Sequence, residues 1–182
     1  MNTTNITLPA LIKSGLGVVT NIEQDREMMH RMTAWLAQQG RVSVIDCGCA
    51  FNASRVMELL HLQHVFFRDG MERIDVARAF TVYQLMTLLE HRPASAASTL
   101  IINPLHLFYD DNIRTPEAMR LFSIGMHHLS RLSRFAPVIL NGRPPTAEFE
   151  DRSPMLAILR KQADQLIEPG VAEDVVRQLT LI

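Results

Sequence analysis

The sequence predicts a doubly wound α/β domain whose mainly parallel sheet carries helices on both faces. Two observations predict it. Short β-rich apolar runs alternate along the chain with stretches whose apolar residues recur at helical spacing, with little left over. The helical stretches are also long enough to carry a crossover between parallel neighbours, which implies right-handed βαβ units.

Taken in order, residues 16–20 read as a buried strand following Gly15. Residues 24–39 read as a helix, with Met28, Met29, Met32, Trp35 and Leu36 at helical spacing and Gly40 as its stop. Residues 41–46 form the next strand. Residues 52–62 form a helix with Val56, Leu59, Leu60 and Leu62 facing inward. Residues 65–67 read as a short extended piece, 73–80 as a strand, and Thr81 as the cap of a helix running through Leu89. A loop at 92–98 leads into an apolar strand at 99–103. The long helix 116–134 is expected to have Thr115 as its N-cap and Pro116 in its first position. A strand at 137–140, a short helix at 154–161, an extended stretch at 164–167 and a last helix at 171–178 complete the chain.

With 182 residues, 47% of them hydrophobic and 20% charged, the chain reads as one globular domain over 1–182 rather than as a disordered segment. No apolar run approaches the length of a membrane span, and the first residues lack the basic start and apolar core of a signal peptide. A cytoplasmic protein without membrane contact is the expectation. A net charge of −1 gives no general attraction to nucleic acid. Cys47 and Cys49 are too close for a disulfide framework and too few for a zinc site, so both read as small buried residues at a strand end. No metal is expected: His127 and His128 are adjacent, and on a helix they diverge by about 100° instead of converging on an ion. Met28, Met29 and Met32 suit a core better than an adaptable partner surface.

Doubly wound folds bind ligands at the carboxyl ends of their strands. The residues there are Thr20, Asn21, Asp46, Gly48, Arg78, Asn103, Asn141 and Gly142. Asp46 and Arg78 are expected to form an ion pair that ties two strands together.

Several segments, in order, resemble the RecA/RadA recombinase superfamily. Residues 45–56, Ile-Asp-Cys-Gly-Cys-Ala-Phe-Asn-Ala-Ser-Arg-Val, are similar to the family segment IDTEGTFRPERL and keep Ile45, Asp46, Phe51 and Arg55. Residues 75–81 followed by Tyr83, Gln84 and Leu85 resemble the strand-to-helix segment VARAFT-x-x-QL. Residues 99–103 sit where the family has its second nucleotide-binding strand, and 137–142 resemble the strand that normally ends in Thr-Asn-Gln. Residues 159–166 resemble the family's terminal strand region, so the likeness covers about residues 15–168.

The resemblance implies a RecA-like ATPase core, and the departures from it imply that catalysis has been lost. A phosphate-binding loop needs glycines and a lysine after the first strand. Here no glycine lies between Gly17 and Gly40, and no lysine between Lys13 and Lys161. Glu23, Asp25 and Glu27 instead place negative charge at a helix start. The family's general-base glutamate falls on Gly48, its magnesium-shell aspartate on Asn103 and its γ-phosphate-sensing glutamine on Gly142. The expectation is a pseudo-ATPase with no catalytic residue and no cofactor, whose degenerate nucleotide cleft comprises Thr20, Asn21, Asp46, Gly48, Asn103, Asn141 and Gly142.

The two loops that would contact DNA, 107–114 and 143–154, carry Asp110, Asp111, Glu148, Glu150 and Asp151 and suit phosphate poorly. Arg114, Arg120, Arg131 and Arg134 are the remaining candidates for nucleic-acid contact, set against the plainer reading of a solvated helix. The resemblance thus implies a protein partner, either a RecA-like subunit or a second copy, in recombination or repair. The alternative is a regulatory small-molecule site lined by Asn21, Asp46, Asn103 and Asn141. An enzyme of unrelated chemistry finds no support, since the sequence has no Gly-x-Ser-x-Gly elbow or other recognisable catalytic grouping.

Overall fold

Six short runs of mostly β-branched and aliphatic residues pair into one parallel sheet in a computed structural model that describes residues 14–19, 25–62, 67–95 and 97–167. The strands are β1 (Gly15–Val19), β2 (Val42–Asp46), β3 (Ile74–Arg78), β4 (Ser98–Ile102), β5 (Pro137–Asn141) and β6 (Gln165–Ile167). Their spatial order is β3-β2-β4-β5-β1-β6, and every neighbouring pair is parallel. The helices are α1 (Asp25–Gln39), α2 (Ala53–Leu62), α3 (Phe67–Glu72), α4 (Val82–His91), α5 (Thr115–Ser133) and α6 (Pro154–Gln162).

The order of the strands dictates which face each helix covers. Connections stepping toward β3 carry α1, α2 and α3, and connections stepping toward β6 carry α4, α5 and α6. With right-handed crossovers, the two sets must lie on opposite faces. The core divides accordingly. Val42, Val44, Leu100, Ile102 and Ile139 pack with Met28, Met29, Met32 and Leu60. Ile45, Ile101, Val138 and Leu140 turn the other way, onto Leu85, Leu89, Phe122 and Leu129. Alternate residues of one strand therefore enter different cores, which is why the central strands read as continuous apolar runs. This is the doubly wound α/β architecture that the sequence predicts. No helix among the described residues is long and apolar enough to cross a membrane.

Local chemistry sets the helix ends. The Arg73 guanidinium donates to the carbonyls of Ala37 (3.1 Å) and Gln38 (3.2 Å), covering groups that α1 leaves without partners. The Thr81 hydroxyl accepts from the Gln84 N–H at 3.2 Å, and the Gln84 side chain accepts from the Phe80 N–H at 2.8 Å, a reciprocal cap on α4.

Three local expectations fail. Leu62 is exposed, because the inward stripe of α2 is Val56, Leu59 and Leu60 and Leu62 lies about 200° beyond Leu60. Phe67 opens the short helix α3 instead of closing an extended piece, while residues 65 and 66 lie outside the described residues. Thr115 is the first residue of α5 and not its cap. Arg114 holds the cap position without a side-chain bond, and the Thr115 hydroxyl donates to the Asp151 carboxylate instead. The expected helix at 171–178 lies outside the described residues.

A small apolar cavity of about 20 Å³ lies between α4, α5 and the sheet, beside Met86, Phe122 and Gly125. A Cβ on Gly125 would meet the flexible Met86 tip at 3.1 Å, with this space next to it. Glycine within a helix costs about 0.5–1 kcal/mol relative to alanine. Gly125→Ala is therefore expected to stabilise the chain by about 1 kcal/mol, raising the melting temperature by roughly 2–4 °C in a calorimetric scan.

Candidate functional site

The carboxyl ends of β2, β4 and β5 gather four of the predicted residues. Asp46, the last residue of β2, is completely buried. Its Oδ1 accepts from the Ala50 N–H at 2.9 Å and its Oδ2 from the Phe51 N–H at 3.2 Å, so the carboxylate folds the following turn back over the strand end. Arg78 lies directly across the register in β3, with its Nε 3.6 Å from Asp46 Oδ2. The expected ion pair is present, but the two backbone amides show that Asp46 serves the turn as much as the strand pair.

Asn103 follows β4 in a left-handed conformation (φ 55°, ψ 43°), which asparagine tolerates better than most residues. Its N–H donates to Asn141 Oδ1 at 2.8 Å, and Asn141 Nδ2 donates to Asn103 Oδ1 at 2.7 Å. The reciprocal pair joins the ends of β4 and β5, with Asn141 fully buried. Gly48 faces the same place: a Cβ there would lie 3.8 Å from Asn103 Nδ2 and 3.9 Å from His106 Cδ2, which is ordinary contact.

Gly142 faces elsewhere. A Cβ on it would meet Leu156 at 3.0 Å, Leu105 at 3.3 Å and Leu159 at 3.4 Å, so it is a close-packed glycine beneath apolar side chains and does not line a polar cleft. Thr20 and Asn21 lie outside the described residues, as do Glu23 and the Asp25 side chain.

Glu27, expected to charge the start of α1, is paired. Its carboxylate accepts from Arg55 Nε and Arg31 Nε, each at 3.0 Å, and the Arg55 guanidinium above all holds it below the usual glutamate range. Arg55, one of the residues that carry the resemblance, thereby ties α2 to α1, and it also bonds Glu58 of its own helix at 2.7 Å.

The loops 107–114 and 143–154 are locked to each other. Arg152 is buried, and its guanidinium donates to the carbonyls of Phe108, Asp110 and Ile113 while lying 4.9 Å over the Phe149 ring. Tyr109 stacks on Phe149 at 6.3 Å and donates its hydroxyl to the Arg143 carbonyl at 3.2 Å; burial pushes the phenol up to about 12.

The four arginines proposed for nucleic acid do not gather. Arg120 is bidentate to Glu117, with both contacts at 2.8 Å. Arg131 donates to the carbonyls of Leu89 (2.8 Å) and Arg92 (3.0 Å) at the end of α4. Arg114 and Arg134 cap opposite ends of α5, about 30 Å apart.

Cys47 is buried, and burial pushes its thiol up, but Cys49 is exposed with φ 50°. Among the described residues no group of three or more His, Cys, Asp or Glu is placed to hold a metal ion. Sequence reasoning missed His30, whose Nε2 accepts from the Asn52 N–H at 3.0 Å, and Arg152, whose partners lie about forty residues away. Neither has a local signal. Compared with the models of known protein families and with the curated proteins, the chain matches none.

Proposed function

We propose that the chain is a catalytically inactive RecA/RadA-like paralogue that acts as a protein-binding accessory factor in DNA recombination or repair. The observation that carries this reading is the mutual engagement of polar groups at the carboxyl ends of the strands. A nucleotide site presents amides to phosphate and an acidic side chain to its magnesium shell. Here Asp46 holds the amides of its own turn, Asn103 and Asn141 hold each other, and Glu27 holds Arg55. The segment-by-segment resemblance supports the RecA/RadA origin, and the clamped, acidic loops speak for a protein partner over DNA.

The margin of β3 suits that partner, a RecA-like subunit or a second copy. Among the described strands β3 pairs with β2 alone. Phe80 is 64% exposed and Tyr83 53% exposed beside that edge, with Val76 on the strand itself. Unprotected edges and exposed aromatic patches mark contact surfaces. The small-molecule reading has less support, because Asp46, Asn103 and Asn141 already satisfy internal partners.

Light scattering on the purified chain, alone and mixed with an intact recombinase of the same host, tests the proposal. A complex that Phe80→Asp weakens at least tenfold, together with no ATP turnover above buffer, is the expected result. Measurable hydrolysis by the chain alone overturns it.

A further inference from the structure

We propose that His30 is a pH-sensitive latch on the turn of residues 47–52, holding it closed when neutral and releasing it when protonated. The turn presents three successive backbone amides inward. Asp46 accepts from the first two, Ala50 and Phe51, and His30 Nε2 accepts from the third, Asn52, at 3.0 Å. An imidazole nitrogen accepts only while it carries no proton; in the imidazolium both nitrogens are donors. Protonation thus sets a donor against the Asn52 N–H.

The surroundings make this a two-state contact. His30 is 3% exposed, and the Phe51 ring meets it edge-on at 6.0 Å. Glu27 and Arg26 face it from α1, Arg55 from α2, and the Ala50 backbone from the turn. Asp46, at the end of β2, holds the adjoining amides. Burial is the largest influence and disfavours the cation, outweighing both Glu27, whose charge is shared with Arg55 and Arg31, and the hydrogen bond to the Ala50 backbone, which favour it. His30 therefore ionises below the ordinary histidine value. The unfolded chain takes up the proton first, so the latch contributes fully above that ordinary value and is lost as pH falls through the lowered one.

The release reaches the rim of the candidate site. Gly48 belongs to this turn beside Asn103, and Asn52 caps α2 by accepting from the Arg55 N–H at 3.1 Å. The inference stands independently of what the rim binds.

An NMR titration of the native chain between about pH 8 and 5 tests it, following the His30 ring and amide exchange corrected for intrinsic rates. The expected result is at least a tenfold loss of protection at Ala50, Phe51 and Asn52 in step with the His30 titration, while Val44 and Leu140 keep theirs. His30→Gln, whose amide oxygen accepts without titrating, is expected to make the turn's protection independent of pH. Turn protection that stays flat, that falls equally in His30→Gln, or that falls together with the core amides overturns the proposal.

Discussion

Arg152→Met is expected to destabilise the chain by about 3 kcal/mol, since it keeps the side chain's apolar stem and removes only the guanidinium. That group sits among the carbonyls of Phe108, Asp110 and Ile113, and its loss leaves Phe108 and Ile113 without that donor in a buried setting, while Asp110 keeps the Ile113 N–H at 3.1 Å. Each such orphan costs about 1–3 kcal/mol, so the two buried carbonyls account for the expected loss, and the half-buried Asp110 carbonyl adds little. Arg152→Lys is expected to recover only part of the loss, because one ammonium cannot reproduce the planar fork that spans several carbonyls. A urea titration checks both: the midpoint falls with an unchanged slope, and the lysine variant lies between. An Arg152→Met midpoint equal to that of the native chain would mean that the loops 107–114 and 143–154 are held together by something other than Arg152.

Asp46→Ala has the next largest expected effect, also about 3 kcal/mol. The substitution removes both acceptors of the Ala50 and Phe51 amides and leaves Arg78 of β3 without its partner on β2. The amides account for most of the cost, because Arg78 is more than half exposed and water can take over its charge. Asp46→Asn is expected to lose less, since it keeps one acceptor. For a chain of this length the alanine variant corresponds to a melting temperature lower by roughly 6–12 °C. Arg78→Ala serves as the contrast, with an expected change below about 1 kcal/mol.

Much of the fold is legible in the sequence because the sheet is covered on both faces. Val42 to Asp46 and Thr99 to Ile102 are buried without interruption, so their apolar runs announce central strands. The methionines of α1 announce a core face by their spacing. The Thr81 cap is legible because its partner lies three residues away. The order of the strands is not, since pairing between β1 and β5 depends on contacts more than a hundred residues apart.

The candidate site divides in the same way. Asp46, Gly48, Asn103 and Asn141 come together as strand-end residues should. Gly48 and Gly142 look alike in the sequence as lost side chains, yet only Gly48 faces the rim; Gly142 answers to Leu105, Leu156 and Leu159, whose positions only the fold determines. His30 and Arg152 act on backbone groups 22 and about 40 residues away, and backbone groups have no residue code to read. Thr115 carried a capping signal, but a tertiary partner, Asp151, took its hydroxyl.

The central claim, that the nucleotide site is lost, is tested most directly by the melting temperature of the purified chain with and without millimolar Mg-ATP. A ligand present at about 100 times its dissociation constant stabilises a protein by about 2.7 kcal/mol, a shift of roughly 5–10 °C for a chain of this size. The account predicts no shift, because Asp46, Asn103 and Asn141 are already engaged with the protein itself. A shift of several degrees that saturates with ATP would contradict it and would mean that the rim opens to take nucleotide.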